Sequence, residues 1–414
     1  MNDFTVLFLI ALAISFAVEF WLSRRHVAHV IRNRNEVPEA FRESVALEAH
    51  QKAADYTVAK ARLQDVDRLL GVTVLILFTL GGGIATLERL WEATTFGPIV
   101  KGIGVILSTL IVAQLIEMPI SLYQTFVIEQ RFGFNRTTPL QYLKDLILQT
   151  TVSFAIGAPL IALILWVMDT AGNFWWVLAW AILISFSILM SWAYPTVIAP
   201  LFNKFSPLPD QELQSRIEAL LKRCGFQSKG IFVMDGSRRS GHGNAYFTGM
   251  GDSKRIVFFD TLVDSLDHDE LEAVLAHELG HFKRRHVIKM LMTSSLISFI
   301  GFAVFGWISQ EPWFYAGLGV PARGAATALL LFMLTAPVFS GFLKPLLAAF
   351  QRKFEFEADD FAASHTEARH LITALVKLYR ENASTLTPDP LYAAFHYSHP
   401  PAAIRINHLS HAGS

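Results

Sequence analysis

The pentapeptide His277-Glu278-Leu279-Gly280-His281 carries the clearest chemical signal in the chain. In a helix, histidines at i and i+4 lie on one face, so both imidazoles can reach a single ion. Glu278 is displaced around the helix, toward the coordination position that a catalytic zinc leaves open. The spacing is typical of zinc hydrolases, and the alternative is a solvated pair of surface histidines.

A catalytic zinc normally takes three protein ligands, so this interpretation needs a third. The position six residues after His281, where metzincins carry a histidine, is Val287. Glu355 and Asp359 are candidates because they share one face of a predicted helix. Glu355 is the candidate ligand, and Asp359 the candidate acceptor for the second N–H of a ligating imidazole. Glu357 is predicted to point away, and an acidic surface helix is the alternative.

These residue types indicate peptide hydrolysis. Zinc would lower the pKa of a bound water and polarise the scissile carbonyl, while Glu278 accepts the water proton and passes it to the leaving amine. The tetrahedral intermediate needs a further donor. His399 and Arg405 are candidates because the C-terminal segment can fold back over the site, although either is otherwise an ordinary surface residue.

The composition places this chemistry in a membrane protein. Of 414 residues, 52% are hydrophobic and only 17% are charged. The hydrophobic share exceeds that of ordinary globular proteins. The 35 basic and 35 acidic side chains cancel, which argues against nucleic-acid binding. The lone Cys224 excludes an internal disulfide and a cysteine-rich zinc site. Seven segments are predicted to cross a bilayer, which takes about 20 helical residues: 4–22, 69–87, 99–124, 146–168, 174–195, 288–308 and 325–343.

Basic residues predict how the spans are oriented. Nine Lys or Arg lie between the first two spans, whereas the link 169–173 has none and the link 309–324 has only Arg323. By the positive-inside rule the N-terminus faces away from the cytoplasm, and an odd number of spans leaves the C-terminus in it. The first span is predicted to be a retained anchor, because its arginines follow the apolar run.

Two polar stretches are predicted to fold on the cytoplasmic side. Within the first, the apolar runs 231–234 and 256–259 are typical of strands in a small sheet. The predicted fold class is an α-helical integral membrane protein with a cytoplasmic zinc metalloprotease domain that contains this sheet. The predicted division is 1–199 for spans one to five, 200–287 for the zinc-protease segment, 288–343 for spans six and seven, and 344–414 for the segment with the third ligand.

Further motifs lie in order along the chain. They are Phe132-Gly133-Phe134-Asn135, Tyr194-Pro195-Thr196, the run from Ala199 to Phe205, the run from Gly243 to Phe247, the run from Phe354 to Asp359, and the run from His396 to Pro401. With the pentapeptide, these motifs make the chain resemble the Ste24-type CAAX prenyl proteases, the type 1 branch of membrane zinc metalloproteases, over essentially its whole length.

The resemblance implies seven long helices around a large water-filled intramembrane chamber, capped by a gluzincin-like zinc domain. It also implies one zinc per chain, bound by His277, His281 and Glu355. By the same resemblance Glu278 is the general base, and Asp359 supports a ligand.

The resemblance also implies how substrate is held. Asn244, together with Ala245 and Tyr246, would bind the substrate backbone in extended form, as an edge strand does. His399 and Arg405 would face the reacting carbonyl. Many relatives carry an acidic residue at the position of Ile404, so the orientation of Arg405 follows less firmly than that of His399.

The function predicted from these residues is a membrane zinc endopeptidase for prenylated CAAX-type or similarly hydrophobic C-terminal peptides. One alternative is a quality-control protease of the HtpX type. Another is a transporter with structural zinc, which the intact Glu278 argues against. The short link between spans six and seven suggests a prokaryotic member in a bacterial inner membrane, and a monomer is expected. Glu117 in span three is predicted to face the chamber, with interfacial snorkelling as the alternative.

Overall fold

The computed structural model describes residues 2–226, 228, 230–248, 255–321 and 324–412. Most of these residues are helical, and four short strands form one sheet. The α-helices are α1 (Asp3–Arg32), α2 (Leu47–Phe78), α3 (Gly83–Glu92), α4 (Pro98–Tyr123), α5 (Gln130–Phe132), α6 (Pro139–Thr170), α7 (Trp175–Ala193), α8 (Ala199–Phe202), α9 (Gln211–Cys224), α10 (Asp260–Ser265), α11 (His268–Lys283), α12 (His286–Ile308), α13 (Pro312–Gly317), α14 (Ala325–Ser340), α15 (Lys344–His365), α16 (Ala368–Glu381), α17 (Pro390–His396) and α18 (Ala402–Ala412).

Within the described residues, six helical segments are long and apolar enough to cross a membrane. They are Asp3–Arg32, Pro98–Phe132, Pro139–Thr170, Gly172–Phe202, His286–Ile308 and Ala325–His365. A seventh span is added if α2 and α3, bent by 50°, count as one. The bend falls at three consecutive glycines, where Gly82 has a left-handed φ of 77°. Each of the seven predicted segments therefore has a counterpart, and the second, 69–87, is the one that the glycines divide.

The long helices are apolar on the outside as well as between one another. Leu7, Trp166 and Met292 are each more than half exposed, a surface that suits lipid rather than water. Between the helices, Phe8 and Phe305 are fully buried in a shared core. The membrane part thus packs by large aromatic side chains inside and presents apolar side chains outside.

The sheet contains β1 (Phe205–Pro207), β2 (Ile231–Met234), β3 (Ala245–Thr248) and β4 (Arg255–Phe259). Their order is β1-β2-β4-β3, with β2 and β4 parallel and β3 antiparallel to β4. Both runs that the sequence predicts as strands, 231–234 and 256–259, are strands. Because β3 is last in the order, it is an outer strand.

Local signals mark the starts of α9 and α11 and the end of α9. Asp210 caps the start of α9, and Gly225, with a φ of 71°, ends it. Asp267 and Glu270 form a capping box at the start of α11. Helix α11 then packs against α15 at close range, since a Cβ at Gly280 would lie 2.9 Å from Ala358 Cα. This close crossing brings the side chains of the two helices together.

Candidate metal centre

Helix α11 brings the two histidines of the pentapeptide together. His277 and His281 are one turn apart, and their Nε2 atoms lie 3.2 Å from each other. A neutral imidazole presents a lone pair on one ring nitrogen and a proton on the other. Two Nε2 atoms at this separation can direct both lone pairs at one shared cation, which is the arrangement that the sequence predicts.

Glu355 of α15 supplies a third ligand atom. Its carboxylate oxygens lie 3.5 Å from His277 Nε2 and 3.3 Å from His281 Nε2. In a tetrahedral site with zinc bonds of about 2.0–2.1 Å, the ligand atoms are roughly 3.3 Å apart. Among the described residues, the buried Oε2 of Glu355 has no hydrogen-bond partner, a costly state for a buried acceptor. The spacing and this oxygen, which accepts no hydrogen bond, both fit a metal ion.

Asp359 and Arg405 lie behind His277, and all three side chains are more than nine-tenths buried. His277 Nδ1 is 2.9 Å from Asp359 Oδ1, and the Arg405 guanidinium donates to both carboxylate oxygens of Asp359 at 2.5 and 2.9 Å. Burial and the Arg405 charge lower the pKa of His277, but the neighbouring carboxylates of Asp359 and Glu355 outweigh them and raise that pKa to about 9. Asp359 therefore accepts the Nδ1–H of His277. This is the role that the sequence predicts for Asp359, as the acceptor for the second N–H of a ligating imidazole.

His399 and Arg405 are both brought to the ligand set, but in different ways. The His399 side chain is 64% exposed, and its Nε2 lies 3.4 Å from Glu355 Oε1. Arg405 is buried against Asp359, with Nη1 at 3.7 Å from Glu355 Oε2. The guanidinium donates to Asp359 through Nε and Nη2, and the role of Arg405 toward the reacting carbonyl stays a prediction.

Glu278 lies on α11 directly after the first histidine and is partly exposed. In the described part of the chain, its carboxylate takes part in no hydrogen bond or ion pair. A carboxylate without a fixed partner is free to accept a proton from water. The geometry is compatible with the general-base role predicted for Glu278.

Asn244, Ala245 and Tyr246 lie at the start of the outer strand β3. Asn244 is exposed, and its backbone carbonyl oxygen accepts a hydrogen bond from Phe259 N at 2.9 Å. Strand β4 covers one edge of β3. In the order of the four described strands the other edge of β3 has no neighbour, so an extended peptide can add there.

Sequence reasoning missed the residues that anchor the turn before β3. Asn382 Oδ1 accepts a hydrogen bond from Gly243 N at 3.1 Å and lies 3.2 Å from His242 Nδ1. Glu129 approaches His242 Nε2 at 3.6 Å and accepts a hydrogen bond from Tyr56 at 2.7 Å. These side chains come from parts of the chain far apart in sequence, so no local spacing could have linked them.

Comparison with known proteins agrees with this geometry. Residues 26–204 match the family described as CAAX prenyl protease N-terminal, five membrane helices, and residues 207–412 match peptidase family M48. The CAAX prenyl protease 1 of Saccharomyces cerevisiae is 34% identical over 96% of this chain and 93% of its own length. The Homo sapiens homolog is 31% identical over 96% and 94%. The crystal structure of S. mikatae Ste24p is similar with a TM-score of 0.92 and 30% identity over 99% of both chains. The chain belongs to the CAAX prenyl protease 1 family.

As a member of this family, the chain is an integral, multi-pass membrane metalloprotease. The M48 region, 207–412, contains the pentapeptide, Glu355 and Asp359, and membership implies a bound metal. The match over nearly the whole chain favours this family over the HtpX-type and transporter alternatives. The relatives named here are fungal and human, so the comparisons give no support to a prokaryotic source or a bacterial inner membrane.

Proposed function

We propose that the chain is a zinc endopeptidase that cleaves near the C-terminus of prenylated CAAX-type or similarly hydrophobic peptides. The observation that supports this proposal most directly is the compact ligand set of His277, His281 and Glu355, whose ligand atoms all lie within 4.8 Å of one another. Two imidazoles and a carboxylate are a common ligand set for catalytic zinc. The choice of a CAAX substrate is supported by the names of the relatives, which are CAAX prenyl proteases.

The residues around the ligand set divide the work. Zinc bound there would supply a water of lowered pKa and an electrophile for the scissile carbonyl. Glu278 accepts the proton of the attacking water and passes it to the leaving amine. Asp359 keeps the Nδ1–H of His277, so that Nε2 stays available as a ligand. His399, exposed beside Glu355, donates to the oxygen of the tetrahedral intermediate.

The open edge of β3 holds the substrate. The peptide adds as a further strand, and Asn244, Ala245 and Tyr246 provide its backbone contacts. Edge pairing recognises main chain and is indifferent to most side chains. The hydrophobic character of the substrate must therefore be selected elsewhere, by the membrane part.

A water-filled chamber between the membrane helices is proposed as the place of cleavage. Polar residues at helical spacing on α4 and α6 support this idea, because polar groups in lipid are costly unless they face a cavity. They line a cavity of about 360 Å³ and include Gln114, Glu117, Ser121, Tyr142, Asp145 and Gln149. The position of Glu117 on this polar face agrees with the prediction that it faces the chamber.

In the proposed orientation, the N-terminus lies on the non-cytoplasmic side of the membrane. The candidate metal centre and the C-terminus lie on the cytoplasmic side. This orientation rests on the nine basic residues between the predicted spans 4–22 and 69–87, and on the positive-inside rule. The division at 199, 287 and 343 and the monomeric state remain predictions. A prokaryotic source and an inner-membrane location rest on the short 309–324 link alone.

Mass-spectrometric cleavage of a farnesylated CAAX peptide by detergent-purified protein tests the proposal. We expect cleavage by the wild type, none after chelation, and a loss of about 10²–10⁴-fold in kcat for Glu278→Gln with bound zinc unchanged. The non-farnesylated peptide is the matched substrate. Equal cleavage of both peptides would remove the prenyl group from the proposal, and full activity of Glu278→Gln would overturn the general-base assignment.

A further inference from the structure

The second nitrogen of His281 has its own partner in the fold. His281 Nδ1 lies 3.0 Å from Nδ1 of His286, and His286 Nε2 lies 3.0 Å from Glu357 Oε2. His286 is 1% exposed, at the first position of α12. Glu357 is not one of the three candidate ligands, yet it connects to His281 through this histidine. A chain of three side chains therefore runs from α15 through α12 to α11.

Proton placement along this chain has one favourable solution. A carboxylate only accepts, so Glu357 requires the proton of His286 on Nε2. His286 Nδ1 is then an acceptor and takes the Nδ1–H of His281. With its proton on Nδ1, His281 keeps a lone pair on Nε2, the atom that faces the ligand set. The reverse placement would set the bare Nε2 of His286 against the carboxylate at 3.0 Å, two acceptors without a proton between them.

The fold holds His286 firmly in this position. Its ring stacks on Phe354 at 4.2 Å with an interplanar angle of 10°. The residue before it, Arg285, has a left-handed φ of 58° at the junction of α11 and α12. A non-glycine residue in this region is strained, and such strain persists where the surroundings demand it. The turn directs the first residue of α12 back onto the last turn of α11.

We propose that His286 and Glu357 are a positioning pair that fixes the tautomer and ring orientation of His281 for the metal. This inference rests on the proposed function of the site. Asp359 is a fixed acceptor for the Nδ1–H of His277. The pair provides such an acceptor for the Nδ1–H of His281, with His286 as the acceptor and Glu357 fixing its proton. Outer partners of this kind contribute about 10–100-fold to metal affinity.

The test is zinc affinity of the full-length protein in detergent, measured by competition with a chelator of known strength. His286→Leu removes the acceptor, and we expect zinc affinity to fall about 10–100-fold. His286→Asn places a carbonyl oxygen where Nδ1 was, and we expect it to recover most of that loss. Glu357→Met, which removes the carboxylate, should weaken zinc as His286→Leu does.

Two further measurements separate positioning from general stability. The Co²⁺-substituted protein should show altered d–d bands in His286→Leu and near-normal bands in His286→Asn. His50→Leu is the matched control, because His50 is equally buried and bonds the Asn33 carbonyl, away from the ligands. It should leave zinc affinity unchanged.

Each outcome decides one point. Zinc affinity within about twofold of wild type in both His286→Leu and Glu357→Met, or an Asn variant no better than Leu, would overturn the positioning pair. His277→Ala keeps this failure distinct from failure of the proposed function. If the wild type binds no zinc, or if His277→Ala still binds it normally, the ligand set itself is wrong.

Discussion

Arg405 shows how a single buried charge ties the metal site to the fold. It is the cation that neutralises Asp359, whose side chain has no exposed surface. We predict that Arg405→Met lowers the free energy of unfolding by about 3–5 kcal/mol, because it removes the guanidinium that pairs with a fully buried carboxylate and leaves only His277 beside it. Arg405→Lys should recover part of this loss, since it restores the charge without the two-pronged geometry.

Thermal melting in detergent, with metal chelated, measures this effect apart from metal binding. The matched comparison is kcat on the CAAX peptide. If Arg405 acted on the reacting carbonyl alone, both variants would lose kcat while their melting temperatures stayed at the wild-type value. That result would contradict the position described here.

Asp389 is a second residue whose charge stabilises the fold, because it joins the start of α17 to α1. It caps α17 by accepting hydrogen bonds from Leu391 N and Tyr392 N, and it pairs with Arg25 of α1 at 2.9 Å. Burial would raise the pKa of Asp389, but the Tyr392 N–H and the Arg25 guanidinium outweigh it and hold the pKa below its usual range. A lowered folded-state pKa means that its stabilisation is complete above the unfolded value near pH 4 and is lost as pH falls through the folded value.

We therefore predict that Asp389→Ala destabilises the protein by about 1–2 kcal/mol at pH 7, with a smaller loss for Asp389→Asn, which can still cap α17. The difference between wild type and Asp389→Ala should shrink as melting is repeated at pH values falling from 7 to below 4. A difference that stays constant over that range would show that the carboxylate charge contributes nothing.

At the scale of elements, the crossing of α11 and α15 sets the distance between the ligands. A Cβ added at Gly280 would lie 2.9 Å from Ala358 Cα and 3.1 Å from Phe361 Cβ. We predict that Gly280→Ala pushes the helices apart, costs about 1–3 kcal/mol of stability, and weakens zinc binding. Gly157→Ala in α6 is the control, because a Cβ there meets nothing within 4 Å. Melting and chelator competition on both variants check this, and equal behaviour of the two would contradict it.

The elements that could be predicted from sequence are those whose signals are local. Asp210, Gly225 and Asp267 mark helix ends through their own backbone neighbours, and apolar runs mark the spans. The ligand set was predictable because its spacing lies within two helices. The partners of Asp359 and His281 were not, since Arg405 and His286 reach the site only when α18 and α12 fold against α15 and α11. Glu357 is predicted to point away from the metal ligands, and its carboxylate contacts His286 instead.

At the scale of the whole molecule, the direction in which the chain is threaded decides which compartment supplies substrate. Cys224 is buried, so single cysteines can be added at exposed positions as reporters of side. Ser44, between α1 and α2, and Gln310, between α12 and α13, are both exposed. With an odd number of crossings on the path from one to the other, we predict that Ser44→Cys and Gln310→Cys react with a membrane-impermeant maleimide from opposite faces of sealed vesicles.

The positive-inside rule further predicts that Ser44→Cys reacts from the cytoplasmic face. Asp360→Cys, on the exposed side of α15 near the ligand Glu355, should react from the same face, and detergent-opened vesicles control for access. Labelling of Ser44→Cys and Gln310→Cys from one face would mean that α2 and α3 do not cross as one span. Labelling of Asp360→Cys from the non-cytoplasmic face would place the metal site outside, where a cytoplasmic CAAX peptide could not meet it without crossing the membrane.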